Sequence, residues 1–279
     1  MSLLSLKNVA KQTLNQKQIS IVKNIVQPPW LYTPLSKNLC IILGCQRSGT
    51  TLTYLILNSH PQIKGIDETD SNYCFPHPIF LYYHWLQRSC LTCLKLPNQT
   101  FNLEYIAQYF PQAKIVWLIR HPYSVVSSMR KFKTRGGNWL NQYAKKELSK
   151  ESVLVPEINN LQLDNLDEIS LGATVWKYKN AALEKFKSAG FAVLSIKYEE
   201  LLENPSQIIA GMLDFIDLEW HENLLKHHQS APKHKDYPGG TKGNIPIDKS
   251  RKKPQLSLSD SEIKTIDSIC QADMKLYGY

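Results

Sequence analysis

The chain has 279 residues, 43% hydrophobic and 20% charged, which puts it in the ordinary globular range with enough length to bury a large core in one α/β domain. No apolar run approaches ~18 residues, which excludes a membrane-spanning helix, and the six cysteines have neither the density nor the spacing of a disulfide framework. The net charge of +9 fits anionic partners, yet Lys and Arg are dispersed instead of clustered, so a small anion or a solvated basic surface explains it as well as a polymer does.

Residues 1 to about 27 place apolar positions (Leu6, Val9, Ala10, Leu14, then Ile19, Val22, Ile25, Val26) at helical spacing among Lys, Gln and Asn, and Pro28-Pro29 ends them. The MSLLSL start is too short and too soon followed by polar residues for a signal peptide, so the expected compartment is the reducing cytoplasm and Asn98-Gln99-Thr100 is a chance sequon. LCIIL (39–43), KIVWLIR (114–120) and FAVLSIKY (191–198) read as buried strands, each followed by helical periodicity. Strands separated by helical stretches imply a parallel sheet with helices on both faces. Cys90 and Cys93 form a CxxC without a partner pair, which reads as core packing. The polar stretch from Gly136 to Asp167 reads as an insertion or lid, the Lys- and Gly-rich stretch from His227 to Pro254 as a mobile loop, and a last helix runs from about Ser259 to Leu276.

The strongest local signal is GCQRSGTT, Gly44 to Thr51, between a strand and an apolar helix, with GxxxxG spacing. Such a turn aims backbone N–H groups and the positive end of a helix dipole at a phosphate. A nucleotide kinase would next need Lys, but Thr50 stands there, and Arg47 inside the turn offers a permanent cation instead. A second anion site follows the strand KIVWLIR: Arg120 lies at the strand end and Ser128 eight residues on, within the next helix. Ligands bind at such strand ends in open parallel sheets, and Arg can fork onto two phosphate oxygens.

QRSGTT followed by LILNSHPQIKGIDET resembles the cofactor loop of the sulfotransferases that use 3′-phosphoadenosine 5′-phosphosulfate (PAPS), nearest in motif to the tyrosylprotein and bacterial branches with RSGTT, HP and a downstream Glu. The resemblance implies an α/β, P-loop-like three-layer fold with a central parallel sheet flanked by helices. It makes residues 1–279 one sulfotransferase domain, 1–37 a helical extension and 38–279 the catalytic core. It implies that Arg47, Ser48, Gly49, Thr50 and Thr51 hold the 5′-phosphosulfate and that Arg120 and Ser128 hold the 3′-phosphate. IKYEELLENPSQII is similar to the family segment whose Tyr, here Tyr198, contacts the adenine, and GGTKGNIPIDKSR is similar to the loop that covers the cofactor, which brings in Lys242, Gly243 and Asn244.

The implied reaction moves a sulfuryl group from PAPS onto an acceptor hydroxyl in line, leaves 3′-phosphoadenosine 5′-phosphate (PAP), and needs no metal. Glu68 in IDETD aligns with the catalytic Glu of the tyrosylprotein branch and would take the acceptor proton, with Asp67 and Asp70 as alternatives and His77 after them. Arg47 and Thr50 would stabilise the leaving phosphate. Asp70 stands where the tyrosylprotein branch carries Arg, which disfavours peptide tyrosine and points to a small molecule, carbohydrate, lipid or carrier-bound acyl chain. The aromatic segment Asn72–Trp85 is either a core helix or an acceptor wall. The competing readings are a P-loop kinase of a small molecule, a nucleotide-binding protein without turnover, and a nucleic-acid binder, which would show a steep salt dependence.

Overall fold

The computed structural model describes residues 28–279 apart from 69, 71–74, 76–80, 83–89, 135–136, 151–155, 232–235, 238–240 and 253–256. The helices expected over residues 1–27, and His77, lie outside the described residues. Five strands form one parallel sheet: β1 (Leu39–Gly44), β2 (Ile63–Ile66), β3 (Leu91–Lys95), β4 (Lys114–Ile119) and β5 (Val193–Lys197), in the order β2-β3-β1-β4-β5.

The near-continuous hydrophobicity of β1 and β4 follows from their place at the centre of a sheet covered on both faces. Alternate side chains enter two cores. Leu39, Ile41 and Leu43 join Ile115 and Trp117 on one face, while Cys40 and Ile42 join Val116 and Leu118 on the other. The first face is covered by α3 (Pro122–Arg130), α5 (Glu168–Ser188) and α7 (Asp260–Leu276), through Val125, Val126, Trp176, Phe186, Ile266 and others. The second is covered by α1 (Thr50–Asn58) and α6 (Pro205–Phe215), through Leu55, Ile56, Ile209 and Met212. Each such side chain taken from water contributes roughly 1.5–3 kcal/mol, so the layers are held chiefly by this burial.

Local chemistry sets the element ends. His121-Pro122 stops β4 and starts α3, with Pro122 in the first helical turn and His121 Nδ1 accepting from Tyr123 N at 3.3 Å. Asp167 caps α5 by accepting from Ser170 N at 2.7 Å, and Ser259 with Glu262 forms a capping box at α7. The helix after β1 packs on one face and the helix after β4 on the other, so a crevice opens between the ends of these two neighbouring strands.

Two segments read as loop or insertion contain regular structure. The described part of 136–167 is ordered on the core: a π-helical turn (Leu140–Ala144), a preceding two-residue ladder that pairs Lys133–Thr134 with Gly137–Asn138, and α4 (Lys145–Lys150) bury Leu140, Ala144 and Leu148. The described part of 227–254 includes a short ladder between Asp236–Tyr237 and Thr241–Lys242, with buried Tyr237 beside Tyr54.

Candidate active site

The turn after β1 is built from three left-handed residues, Gly44 (φ 121°), Arg47 (φ 72°) and Gly49 (φ 98°). Glycine is needed at position 44, where a Cβ would lie 2.3 Å from Leu118 O, and at 49, where it would lie 2.3 Å from the Tyr198 ring. Arg47 adopts the same conformation without that freedom, so its surroundings hold it there. We expect Gly49→Ala to destabilise the protein by about 1–3 kcal/mol and to lower the thermal midpoint, with partial recovery in Gly49→Ala/Tyr198→Ala. An unchanged midpoint in the single variant would contradict the close approach of turn and ring.

The two anion motifs meet in one cleft of about 320 Å³, walled by Arg47, Thr51, Arg120, Ser128, Tyr198 and Lys242 among others. Arg47 Nε donates to Ser128 Oγ at 2.9 Å, and Arg120 Nη1 donates to the Arg47 carbonyl at 3.1 Å. The Arg120 guanidinium stacks over the Tyr198 ring at 4.3 Å, and that of Arg47 lies over Phe132 at 5.1 Å. Trp176 Nε1 donates to Arg120 O at 2.8 Å and so fixes the end of β4. Burial first, and the neighbouring Arg120 second, push the Arg47 pKa down, while Glu68 and Tyr198 oppose the shift. Two guanidinium groups crowded together and shielded from water constitute an electrostatic demand for anions. On the cleft wall, the hydroxyl of Ser124 and Nε of Arg120 are buried without a hydrogen-bond partner among the described residues, which is how a site that awaits polar ligand atoms looks.

At the ends of β2 and β3 three charges come together. Lys95 Nζ lies 2.9 Å from Asp67 Oδ1, 3.4 Å from Glu68 Oε2 and 3.2 Å from Thr51 Oγ1. Asp67 and Lys95 side chains are fully buried, whereas Glu68 is 17% exposed. Asp67 is further committed to the Glu68 amide at 2.7 Å, and Asp70 is exposed. Of the three candidate bases, Glu68 is the one that is mostly shielded yet partly exposed and whose charge acts on Arg47, although it lies off the cleft wall itself. Burial raises its pKa, Lys95 opposes that shift, and Asp67 and Glu147 add to it.

The structure brings Arg47, Thr50, Thr51, Arg120, Ser128, Tyr198 and Lys242 to the cleft wall. Ser48 is buried behind the turn. Gly243 packs beneath Tyr237, and Asn244 is exposed away from the cleft wall. In the aromatic segment 72–85, Phe75 and Leu81 belong to the core and Phe75 O accepts from Tyr105 at 2.7 Å; most of the remainder lies outside the described residues. Sequence reasoning missed Lys95, Ser124 and Lys131; it placed the loop that contains Ile245–Asp248 over the cofactor but picked from it Lys242, Gly243 and Asn244 instead of these four, which line the cleft with Lys242. A lysine that closes the apolar run LTCL was the available signal for Lys95.

A glycine-bent strand-to-helix turn at the switch point of a parallel sheet, facing a second cationic strand end, defines a P-loop-like α/β protein with a cationic cleft. The profile of the sulfotransferase family matches residues 40–78 and 77–222. A Caenorhabditis briggsae protein assigned to the protein-tyrosine sulfotransferases is 23% identical over 227 residues, 69% of this chain and 70% of that protein. Among solved structures, the sulfotransferase domain from the curacin biosynthetic pathway superposes with a TM-score of 0.54 at 20% identity, covering 84% of this chain and 96% of that one. Mouse sulfotransferase SULT7A1 complexed with PAP superposes at 0.50 with 13% identity, covering 86% and 85%. The chain belongs to the sulfotransferase family.

Proposed function

We propose that the chain transfers a sulfuryl group from PAPS to an acceptor hydroxyl, that of a small molecule, carbohydrate, lipid or carrier-bound acyl chain ahead of peptide tyrosine, with Glu68 as base. The observation that carries this reading is the joined network of Arg47, Ser128 and Arg120 in one cleft: a nucleotide with phosphates at both its 5′ and 3′ positions needs two adjoining cationic sites, and an ordinary nucleoside triphosphate does not. The buried, partnerless Ser124 and Arg120 atoms on the cleft wall fit such a ligand. Residues 47–51 would hold its 5′ end, Arg120 and Ser128 its 3′-phosphate, and Tyr198 its base.

When bound, PAPS supplies an activated sulfuryl group whose S–O bond to phosphate breaks as the bond to the acceptor oxygen forms. Glu68 takes the proton that the acceptor loses, and Lys95 at 3.4 Å favours its charged, basic form. Arg47 and the Thr50 hydroxyl stabilise charge on the departing phosphate. Lys95 also donates to Thr51, which ties the base side of the site to the phosphate turn. Asp70, exposed beside the base, offers a negative charge where the tyrosylprotein branch has Arg, hence the preference for a non-peptide acceptor. The free thiols of Cys40, Cys45, Cys90, Cys93 and Cys270 suit a reducing compartment, and the cytoplasm is part of the proposal.

Calorimetry and a transfer assay test the reading together. PAP is expected to bind at least about tenfold more tightly than AMP, and a labelled sulfuryl group is expected to pass from PAPS to a hydroxyl compound in mixed small-molecule and peptide pools analysed by mass spectrometry. Chelator is expected to leave the rate nearly unchanged, because Arg47, Lys95 and Arg120 supply the positive charge. Loss of activity in chelator with recovery on magnesium would favour a kinase, and tight PAP binding with no transfer would favour a nucleotide sensor.

A further inference from the structure

Helix α5 presents an apolar stripe to the core, through Trp176, Leu183 and Phe186, and one ammonium lies on that stripe: Lys179, fully buried. Its Nζ donates to Gln46 Oε1 at 2.5 Å and to Pro97 O at 2.8 Å, and it pairs with Glu147 Oε2 at 2.6 Å. Glu147, on α4, accepts in turn from Gln46 Nε2 at 3.2 and 3.1 Å. The Gln46 amide is thus held at both ends, its oxygen by Lys179 and its nitrogen by Glu147, and the ion pair closes the triangle.

Stability alone does not account for this arrangement, because a buried ion pair is commonly no more stabilising than an apolar replacement of the same volume. Its position supplies the reason. Gln46 immediately precedes Arg47, whose left-handed backbone (φ 72°) persists only where neighbours enforce it. The same stretch of chain also reaches the other end of Arg47: Phe132 underlies the guanidinium and stacks on Trp139 at 5.9 Å, and Trp139 leads into the π-helical turn and α4. Phe132 therefore grips Arg47 through its side chain, and Glu147, by way of Gln46, through its backbone.

We propose that Lys179 and Glu147 are positioning residues that lock Gln46 and thereby aim Arg47 at the transferring group, which makes segment 132–150 a working part of the site. The proposal rests on the sulfotransferase reading of Arg47. A misaimed group costs up to about 100-fold in rate, so Lys179→Met/Glu147→Leu, which removes both charges together, is expected to lower kcat about 10- to 100-fold.

The test is a double-mutant cycle with Arg47→Ala, read as turnover and as PAP affinity by calorimetry, with thermal unfolding of every variant. In the unlatched background Arg47→Ala is expected to cost less than about a tenth of the factor it costs in the wild type, a coupling that a merely structural pair would not produce. A folded double variant with kcat within about twofold of wild type, or an Arg47→Ala factor equal in both backgrounds, overturns the latch. If the double variant does not fold, Glu147→Gln, which keeps the shape, carries the same cycle with the same overturning results. A wild-type protein that neither binds PAP nor transfers sulfuryl groups overturns the functional reading itself, whereas an active wild type with additive effects overturns the latch alone.

Discussion

Glu68→Gln is expected to lower turnover by about 10²- to 10⁴-fold while PAP affinity scarcely moves. The amide keeps the size and much of the hydrogen bonding but cannot accept a proton, and no PAP-holding residue is disturbed. The pH profile gives a second handle. Burial holds the Glu68 carboxyl above the usual range, with Lys95 pulling it down and Asp67 and Glu147 pushing it up. A base must be deprotonated, so activity should rise with pH through an acid limb displaced upward from that of an exposed Glu. Lys95→Met removes the opposing cation and should move the limb further upward; Glu147→Gln removes a negative neighbour and should move it downward. Near-normal turnover of Glu68→Gln on a verified acceptor would reject this base, and Asp67 or Asp70 would be substituted next.

Arg120→Ala is expected to weaken PAP by about 2–4 kcal/mol, roughly 30- to 1,000-fold. The loss should exceed the loss for AMP, which has no 3′-phosphate, and this difference is the decisive quantity. Arg120 also braces the Arg47 carbonyl and covers Tyr198, so some loss for AMP is expected as well. Arg120→Lys should recover the charge but not the forked geometry. Equal losses for PAP and AMP would remove the second anion site from the mechanism, leaving Arg120 as a brace for the turn.

Two of the three strands read from the sequence, LCIIL and KIVWLI, are apolar because both their faces are buried; the third, VLSIK, lies at the other edge and is only partly buried, and the apolar residues of FAVLSIKY made it legible. The two missed strands are short and mixed. IKGI lies at the sheet edge and contains Gly65, whose amide N–H donates to Asn58 Oδ1 at 2.8 Å, and LTCLK carries two polar residues that are nonetheless buried. The phosphate turn was legible because its glycines serve local backbone geometry. Lys95, Lys179 and Glu147 were not, because their meaning lies in partners 27 to 133 positions away, and a buried lysine looks like a surface one until its neighbours are known. Lys179 at helical spacing from Trp176 and Leu183 was the one hint available.

The strand order places β1, with its turn, in the middle of five. To one side lie the ends of β4 and β5 with Arg120 and Tyr198; to the other lie those of β2 and β3 with Glu68 and Lys95. On the proposed mechanism, the central strand is a watershed between recognising the donor and activating the acceptor. Under that mechanism, variation at the edge strand β2 that spares Lys95, whose bond to Thr51 reaches the phosphate turn, would change what is modified without altering the nucleotide half, so a lineage, or an engineer, would explore new acceptors one edge at a time.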